Sequence, residues 1–152
     1  MGIALWVEQN IGYRLLMMHD KIYKSTDGRI GHRIPLPGVP PSLLLHTVGA
    51  KTGKQRTNTL SYFPDGGSYY VVASKGGDPK APGWYHNLKA DPDVEINLGP
   101  KRLAVTATPV LADDPDYPRL WKMVNDGNSN RYDGYQKRTT RRIPLVRLTP
   151  RT

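Results

Sequence analysis

The chain has 152 residues, with 22 Lys and Arg against 13 Asp and Glu for a net charge of +9, and includes 38% hydrophobic residues and 14 Pro. This length supports one domain around one core, and the charge calls for an anionic partner or surface without naming it. The absence of Cys excludes disulfide frameworks, thiolate nucleophiles, Cys-ligated zinc and iron–sulfur clusters, and the four His at 19, 32, 46 and 86 lie far apart, so no metal is expected.

From Ile3 to about Lys24, residues Ile3, Trp6, Val7, Ile11, Leu15, Met18 and Ile22 recur at three- and four-residue steps and predict an amphipathic helix. Its stripe either packs on the domain or, with Trp6 on it, rests on a membrane surface. No window approaches the ~18 uninterrupted apolar residues of a membrane span. A cytoplasmic protein is expected, with peripheral contact at the inner membrane face as the alternative. Gly28, Gly31, Pro35, Pro37, Gly38, Pro40 and Pro41 mark an extended connector over 25–41. The expected division is thus 1–41, helix and connector, and 42–152, a β-barrel domain that carries the binding site.

Strands are predicted over Ser42–Val48, Thr57–Phe63, Ser68–Ser74, Val94–Leu98, Leu103–Val110 and Ile143–Leu148. Pro64-Asp65-Gly66-Gly67 and Gly99-Pro100-Lys101 are turn sequences, so consecutive strands should run antiparallel. Helices are predicted over Pro82–Ala90, stopped by Asp91-Pro92, from Asp114-Pro115 to about Val124, and near Asn130–Arg138. This order predicts a mainly β, α+β fold: a small barrel of antiparallel strands with surrounding helices, and not a doubly wound parallel sheet.

Between Asp27 and Asp65 there is no acidic side chain, yet Arg29, Arg33, Lys51, Lys54 and Arg56 all occur there. Three of these cations fall in the glycine-punctuated stretch Thr47-Val48-Gly49-Ala50-Lys51-Thr52-Gly53-Lys54-Gln55-Arg56, where free N–H groups beside fixed charges suit a phosphate. It is not a P-loop: Gly49 and Gly53 are one residue too close, Gln55 replaces Ser or Thr, and a strand follows. A solvated basic hairpin is the plainer alternative. Ser74-Lys75-Gly76-Gly77 ends a strand, and Pro82-Gly83-Trp84-Tyr85-His86-Asn87-Leu88 opens a helix, so both can receive an anion. Trp84 and Leu88, four apart, equally suit a core, with Asn87 capping backbone.

Taken in order, T-V-G-A-K-T-G-K-Q-R, the D-G-G turn, A-S-K-G-G, P-x-W-Y-x-N-L followed by K-A-D-P, and R-x-I-P-L-V resemble the deazaflavin-dependent nitroreductase family, the reductases that use coenzyme F420. The resemblance runs from about Leu43 to Thr149. It implies a split β-barrel related to flavin-binding barrels, and hydride transfer from reduced F420 to a small electron-poor acceptor: a quinone, a nitroaromatic or an unsaturated carbonyl compound. By this resemblance Lys51, Thr52, Lys54, Gln55 and Arg56 match the segment holding the cofactor's phosphate and polyglutamate tail, with Thr47, Gly53 and Asn58 beside them. Val72, Ala73, Ser74, Lys75, Gly76 and Gly77, and Trp84, Tyr85, Asn87 and Leu88, match segments around the deazaflavin ring. Clustered Lys and Arg would neutralise the phosphodiester and carboxylates of that tail.

Tyr132 and Tyr135, three apart on the expected last helix, share a face. In related enzymes tyrosines of this helix wall the substrate pocket, where a phenol, like the Ser74 hydroxyl, can donate to a carbonyl or nitro oxygen as hydride adds charge. Two structural tyrosines are the alternative. Rival readings are an FMN-loaded barrel and a nucleic-acid-binding barrel. The second is motivated by Arg131, Lys137, Arg138, Arg141, Arg142, Arg147 and Arg151 but lacks interleaved aromatics, so no nucleic-acid partner is expected. The chain is expected as a monomer or homodimer.

Overall fold

The apolar–polar alternation along the chain is realised as one curled antiparallel sheet in the computed structural model, which describes residues 17–33, 39–75 and 77–151. Among these residues the strands are β1 (Ser42–Val48), β2 (Gln55–Ser61), β3 (Phe63–Asp65), β4 (Ser68–Val72), β5 (Asp93–Leu98), β6 (Lys101–Val110) and β7 (Leu145–Pro150). They lie in the order β2-β1-β5-β6-β7-β4-β3, and every pair is antiparallel. The two edge strands, β2 and β3, are consecutive in the chain and separated by Tyr62 alone. An open flat sheet cannot satisfy that connection. The sheet must curl until its edges meet, which is the expected split barrel.

The predicted single strand Thr57–Phe63 is therefore two strands. At the break the Tyr62 N–H leaves the ladder and donates to the Pro41 carbonyl at 3.1 Å. Among the described residues four helices accompany the sheet: α1 (17–25), α2 (Gly83–Ala90), α3 (Tyr117–Asp126) and α4 (Arg131–Gln136). Helix α2 stops because Asp91 precedes Pro92 and is pushed to extended backbone, φ −141° and ψ 100°.

Two buried clusters follow from the two-residue period of the strands. Inside the barrel, Leu43, Leu45, Val71, Val94, Ile96, Val105, Val146 and Leu148 pack with Trp84, Tyr85 and Leu88 of α2. The opposite face of β4 and β7, with Tyr70, Val72 and Leu145, is covered by Tyr117, Leu120 and Val124 of α3 and Tyr132 of α4. Helix α2 thus plugs the barrel, whereas α3 and α4 cover its outside.

Of the predicted N-terminal stripe, Ile3, Trp6, Val7, Ile11 and Leu15 lie outside the described residues. The described turns meet the barrel by another face. Tyr23 is fully buried, donates its hydroxyl to the Ser42 carbonyl at 2.6 Å and accepts the Gly99 N–H at 3.1 Å. Met18 and Ile22, the stripe residues here, are instead 55% and 40% exposed. Behind this helix Asn97, wholly buried, donates to the Asp27 carbonyl at 3.2 Å and accepts from His46 Nε2 at 2.5 Å. Because the Asn97 carboxamide oxygen is the acceptor, Nε2 carries the His46 proton, leaving Nδ1 to accept from Thr57 Oγ1 at 3.1 Å. Gly28 packs so closely on the Gly99 carbonyl that no side chain fits there. No helix among the described residues is long and apolar enough to cross a membrane.

Candidate functional site

One cleft of about 720 Å³ opens where the β1–β2 hairpin, the β4–α2 loop and the first turn of α2 converge. Strand pairing explains which side chains reach it. Thr47 pairs with Arg56, Leu45 with Asn58 and Leu43 with Leu60, so Arg56 and Asn58 share the inward face of β2 and lead from the core to the cleft. The hairpin adds Gly49, Ala50, Lys51 and Thr52, the β4–α2 loop adds Ser74 and Lys75, and α2 with its preceding proline adds Pro82, Gly83, Trp84, His86 and Asn87.

The electrostatics of this surface are one-signed. Among the described residues Lys51, Arg56 and Lys75 line it and no carboxylate does. Among the described residues none of the three is in an ion pair. The start of α2, with no acidic residue in its first turn, adds the positive end of a helix. The three cations are exposed to solvent, and a bound polyanion would gain charge-assisted hydrogen bonds from them.

The hairpin's shape is fixed from within and from α2. The Gly49 N–H donates to the Lys54 carbonyl at 2.8 Å, and the Gly53 N–H, at φ +68° where Gly is favoured, donates to the Gly49 carbonyl at 2.9 Å. Asn87 ties this loop to the helix: its Oδ1 accepts the Ala50 N–H at 2.9 Å and its Nδ2 donates to Thr47 Oγ1 at 3.1 Å. Both ends of the Asn87 amide are thereby engaged within the protein. Ser74 closes its own turn by accepting the Gly77 N–H at 3.1 Å, which leaves its O–H hydrogen for a group in the cleft. Gly77, at φ +83°, is packed so that a Cβ would lie 2.7 Å from the Tyr135 carbonyl oxygen. Arg141 supports the same loop, donating to the Ala73 carbonyl at 3.3 Å.

Of the residues expected at the cofactor site, Lys51, Thr52, Arg56, Asn58, Ser74, Lys75, Trp84 and Asn87 are brought to this one cleft. Thr47 sits behind it under Asn87, and Gly53, Lys54 and Gln55 complete the hairpin beside it. Val72, Ala73, Tyr85 and Leu88 are buried in the core that supports it, Gly77 lies in the turn next to α4, and Gly76 lies outside the described residues. Burial raises the Tyr85 phenol above its ordinary range, opposed by the nearby Arg141 guanidinium. Tyr132 and Tyr135 are not in the cleft lining. Tyr132 is 8% exposed, in edge contact with Phe63 and Tyr135, and burial drives its phenol far above the usual range. Tyr135 is half-buried, at the margin of that outer cluster. Gly49, Ala50, Pro82, Gly83 and His86 also line the cleft; the sequence placed them within the two anion-receiving stretches without naming them as site residues, and the i, i+3 and i+4 spacing of Gly83, His86 and Asn87 is the signal that picks out His86.

Residues 15–150 match the family model of F420H(2)-dependent quinone reductase. The chain is 64% identical over 151 residues to an F420H(2)-dependent quinone reductase of Mycobacterium tuberculosis (strain H37Rv), covering 99% of this chain and 100% of that protein. A solved F420-H2 dependent reductase, FDR-A, superposes with a TM-score of 0.63 at 39% identity, covering 71% of this chain and 93% of that one. A solved domain-swapped dimer superposes with the same TM-score of 0.63 at 33% identity, covering 95% and 98%.

Proposed function

The chain belongs to the F420H(2)-dependent quinone reductase family, and on that footing we propose that its cleft binds reduced coenzyme F420 and presents it to a quinone-type acceptor. The observation that carries this reading is the row of Lys51, Arg56 and Lys75, which among the described residues has no ion pair and faces no carboxylate in the cleft. These cations would hold the anionic tail, while Ser74 and Trp84 would flank the ring. Bound F420 supplies the hydride, so the protein needs no metal, thiol or triad of its own. Its residues orient and stabilise charge: the free O–H of Ser74 can donate to the acceptor oxygen as negative charge develops there. Tyr135, behind the Gly77 turn, is assigned the same task from the α4 side. Nitroaromatic and unsaturated carbonyl acceptors meet the same requirement, a polarised oxygen beside an electron-poor centre.

The extended cationic hairpin favours F420, with its longer anionic tail, over FMN. The nucleic-acid alternative lacks its stacking platform, because Trp84 in the cleft is only 5% exposed. The domain-swapped relative supports a homodimer as the assembly, and the exposed Met18 and Ile22 are the support for peripheral membrane contact.

Lys51→Ala and Arg56→Ala test the tail site. Each is expected to weaken F420 binding by about tenfold at low salt, less at high salt, and to change the rate at saturating cofactor much less. Affinity unchanged at every ionic strength would reduce the loop to an ordinary basic hairpin.

A further inference from the structure

Three of the four histidines are tied into the fold. His19 Nε2 lies 2.5 Å from the Gly31 carbonyl oxygen, His32 Nε2 lies 2.7 Å from the Tyr62 hydroxyl, and His46 bridges Thr57 and Asn97. His86 differs from all of them. It is exposed on the cleft side of α2, its ring meets Tyr85 at 6.1 Å between centroids, and it makes no hydrogen bond among the described residues. Both ring nitrogens are therefore available to a ligand.

The charged and titratable groups around it set the sign of what it can do. Lys51 and Arg56 share the cleft from the hairpin and Lys75 shares it from the β4–α2 loop. On its own helix Tyr85 touches it, with Lys89 over the Tyr85 ring at 4.9 Å and Arg141 beside the Tyr85 phenol. Among the described residues no carboxylate lines the cleft. A polyanion bound among these cations would bring negative charge to the imidazole and favour its protonated form.

We infer that His86 is a further cofactor-binding residue, whose imidazolium contacts the anionic part of F420 and couples cofactor binding to proton uptake. The inference rests on the reading that the cleft takes F420. Its sign follows from linkage: a ligand that raises the affinity of His86 for its proton is itself bound more tightly when that proton is present. Affinity for the cofactor thus rises as pH falls through the histidine range, and a fraction of a proton is taken up on binding at neutral pH.

The test is calorimetric titration of oxidised F420 into wild type, His86→Gln and His86→Lys between about pH 8 and pH 5.5, in two buffers of different ionisation enthalpy. His86 is exposed, so neither substitution disturbs the core. Titrations of the cofactor itself are common to the three proteins and cancel in their ratio. Wild type should gain about three- to tenfold in affinity over His86→Gln on going from the alkaline to the acid end, with His86→Lys nearly constant relative to His86→Gln. Buffer-dependent proton uptake at neutral pH should be larger in wild type than in either variant. Tight F420 binding with one pH profile and one proton uptake in all three proteins would overturn the role of His86 and leave the cofactor reading standing. No F420 binding by any of them would overturn the cofactor reading, and this inference with it.

Discussion

Ser74 and the two tyrosines of α4 show how placement separates residues that sequence alone treats together. The Ser74 hydroxyl is in the cleft with its hydrogen free, and Tyr132 is enclosed among Phe63, Trp121 and Tyr135. A buried phenol whose ionisation is so strongly opposed is a packing residue first. Tyr135 keeps partial exposure, and its backbone carbonyl abuts Gly77 of the cleft loop. Tyr135→Phe removes only the hydroxyl, and is expected to lower quinone turnover about tenfold to hundredfold while F420 affinity and melting temperature stay nearly fixed. Unchanged turnover with several quinones would leave Tyr135 as a packing residue. The cations were legible in the sequence, Lys51 and Arg56 in a glycine-broken loop without acids and Lys75 in the Ser-Lys-Gly-Gly end of a strand, although a solvated basic hairpin suited the loop equally. The engagement of Asn87 by Ala50 and Thr47 was not, since it depends on how α2 docks against a hairpin 37 and 40 residues away. The same docking decides that His86 faces the cleft while Trp84 and Tyr85 face the core.

At the scale of elements, local chemistry determined most of what was readable. Ser42–Val48 matches β1 in full, and Asp91-Pro92 ends α2 where a residue before proline must leave the helix. Misread boundaries are those set by distant partners. Tyr62 continues an apolar strand pattern but is turned out of the ladder by the Pro41 carbonyl, a contact that exists only once the sheet has curled. The apolar stripe of the first helix was likewise legible as a stripe, but the side that packs is marked by Tyr23, whose hydroxyl serves Ser42 and Gly99. Burial raises the Tyr23 phenol, partly offset by the Gly99 N–H that it accepts. Tyr23→Phe leaves that N–H without its partner in the interior and should cost about 1–3 kcal/mol, read as a lower urea midpoint at unchanged slope. A midpoint equal to wild type would mean that α1 is not part of the barrel's stability.

For the whole molecule, closure of the sheet and function share one cause. Because the chain passes from β2 to β3 through a single residue, the barrel must curl. Curling places the β1–β2 hairpin opposite the β4–α2 loop, with α2 between them as the plug. Three cations that are in no ion pair among the described residues, Lys51, Arg56 and Lys75, converge on one cleft. Arg102, Arg119 and Lys122, by contrast, pair with Glu95, Asp65 and Asp126. The most direct measurement is a side-by-side equilibrium titration of the full chain with oxidised F420, FMN and a single-stranded oligonucleotide, followed by addition of a quinone to the F420H2 complex. The account predicts saturable binding of F420, much weaker binding of FMN and the oligonucleotide, and quinone-dependent return of the oxidised deazaflavin absorbance. Tight binding of FMN or the oligonucleotide with none of F420 would contradict it.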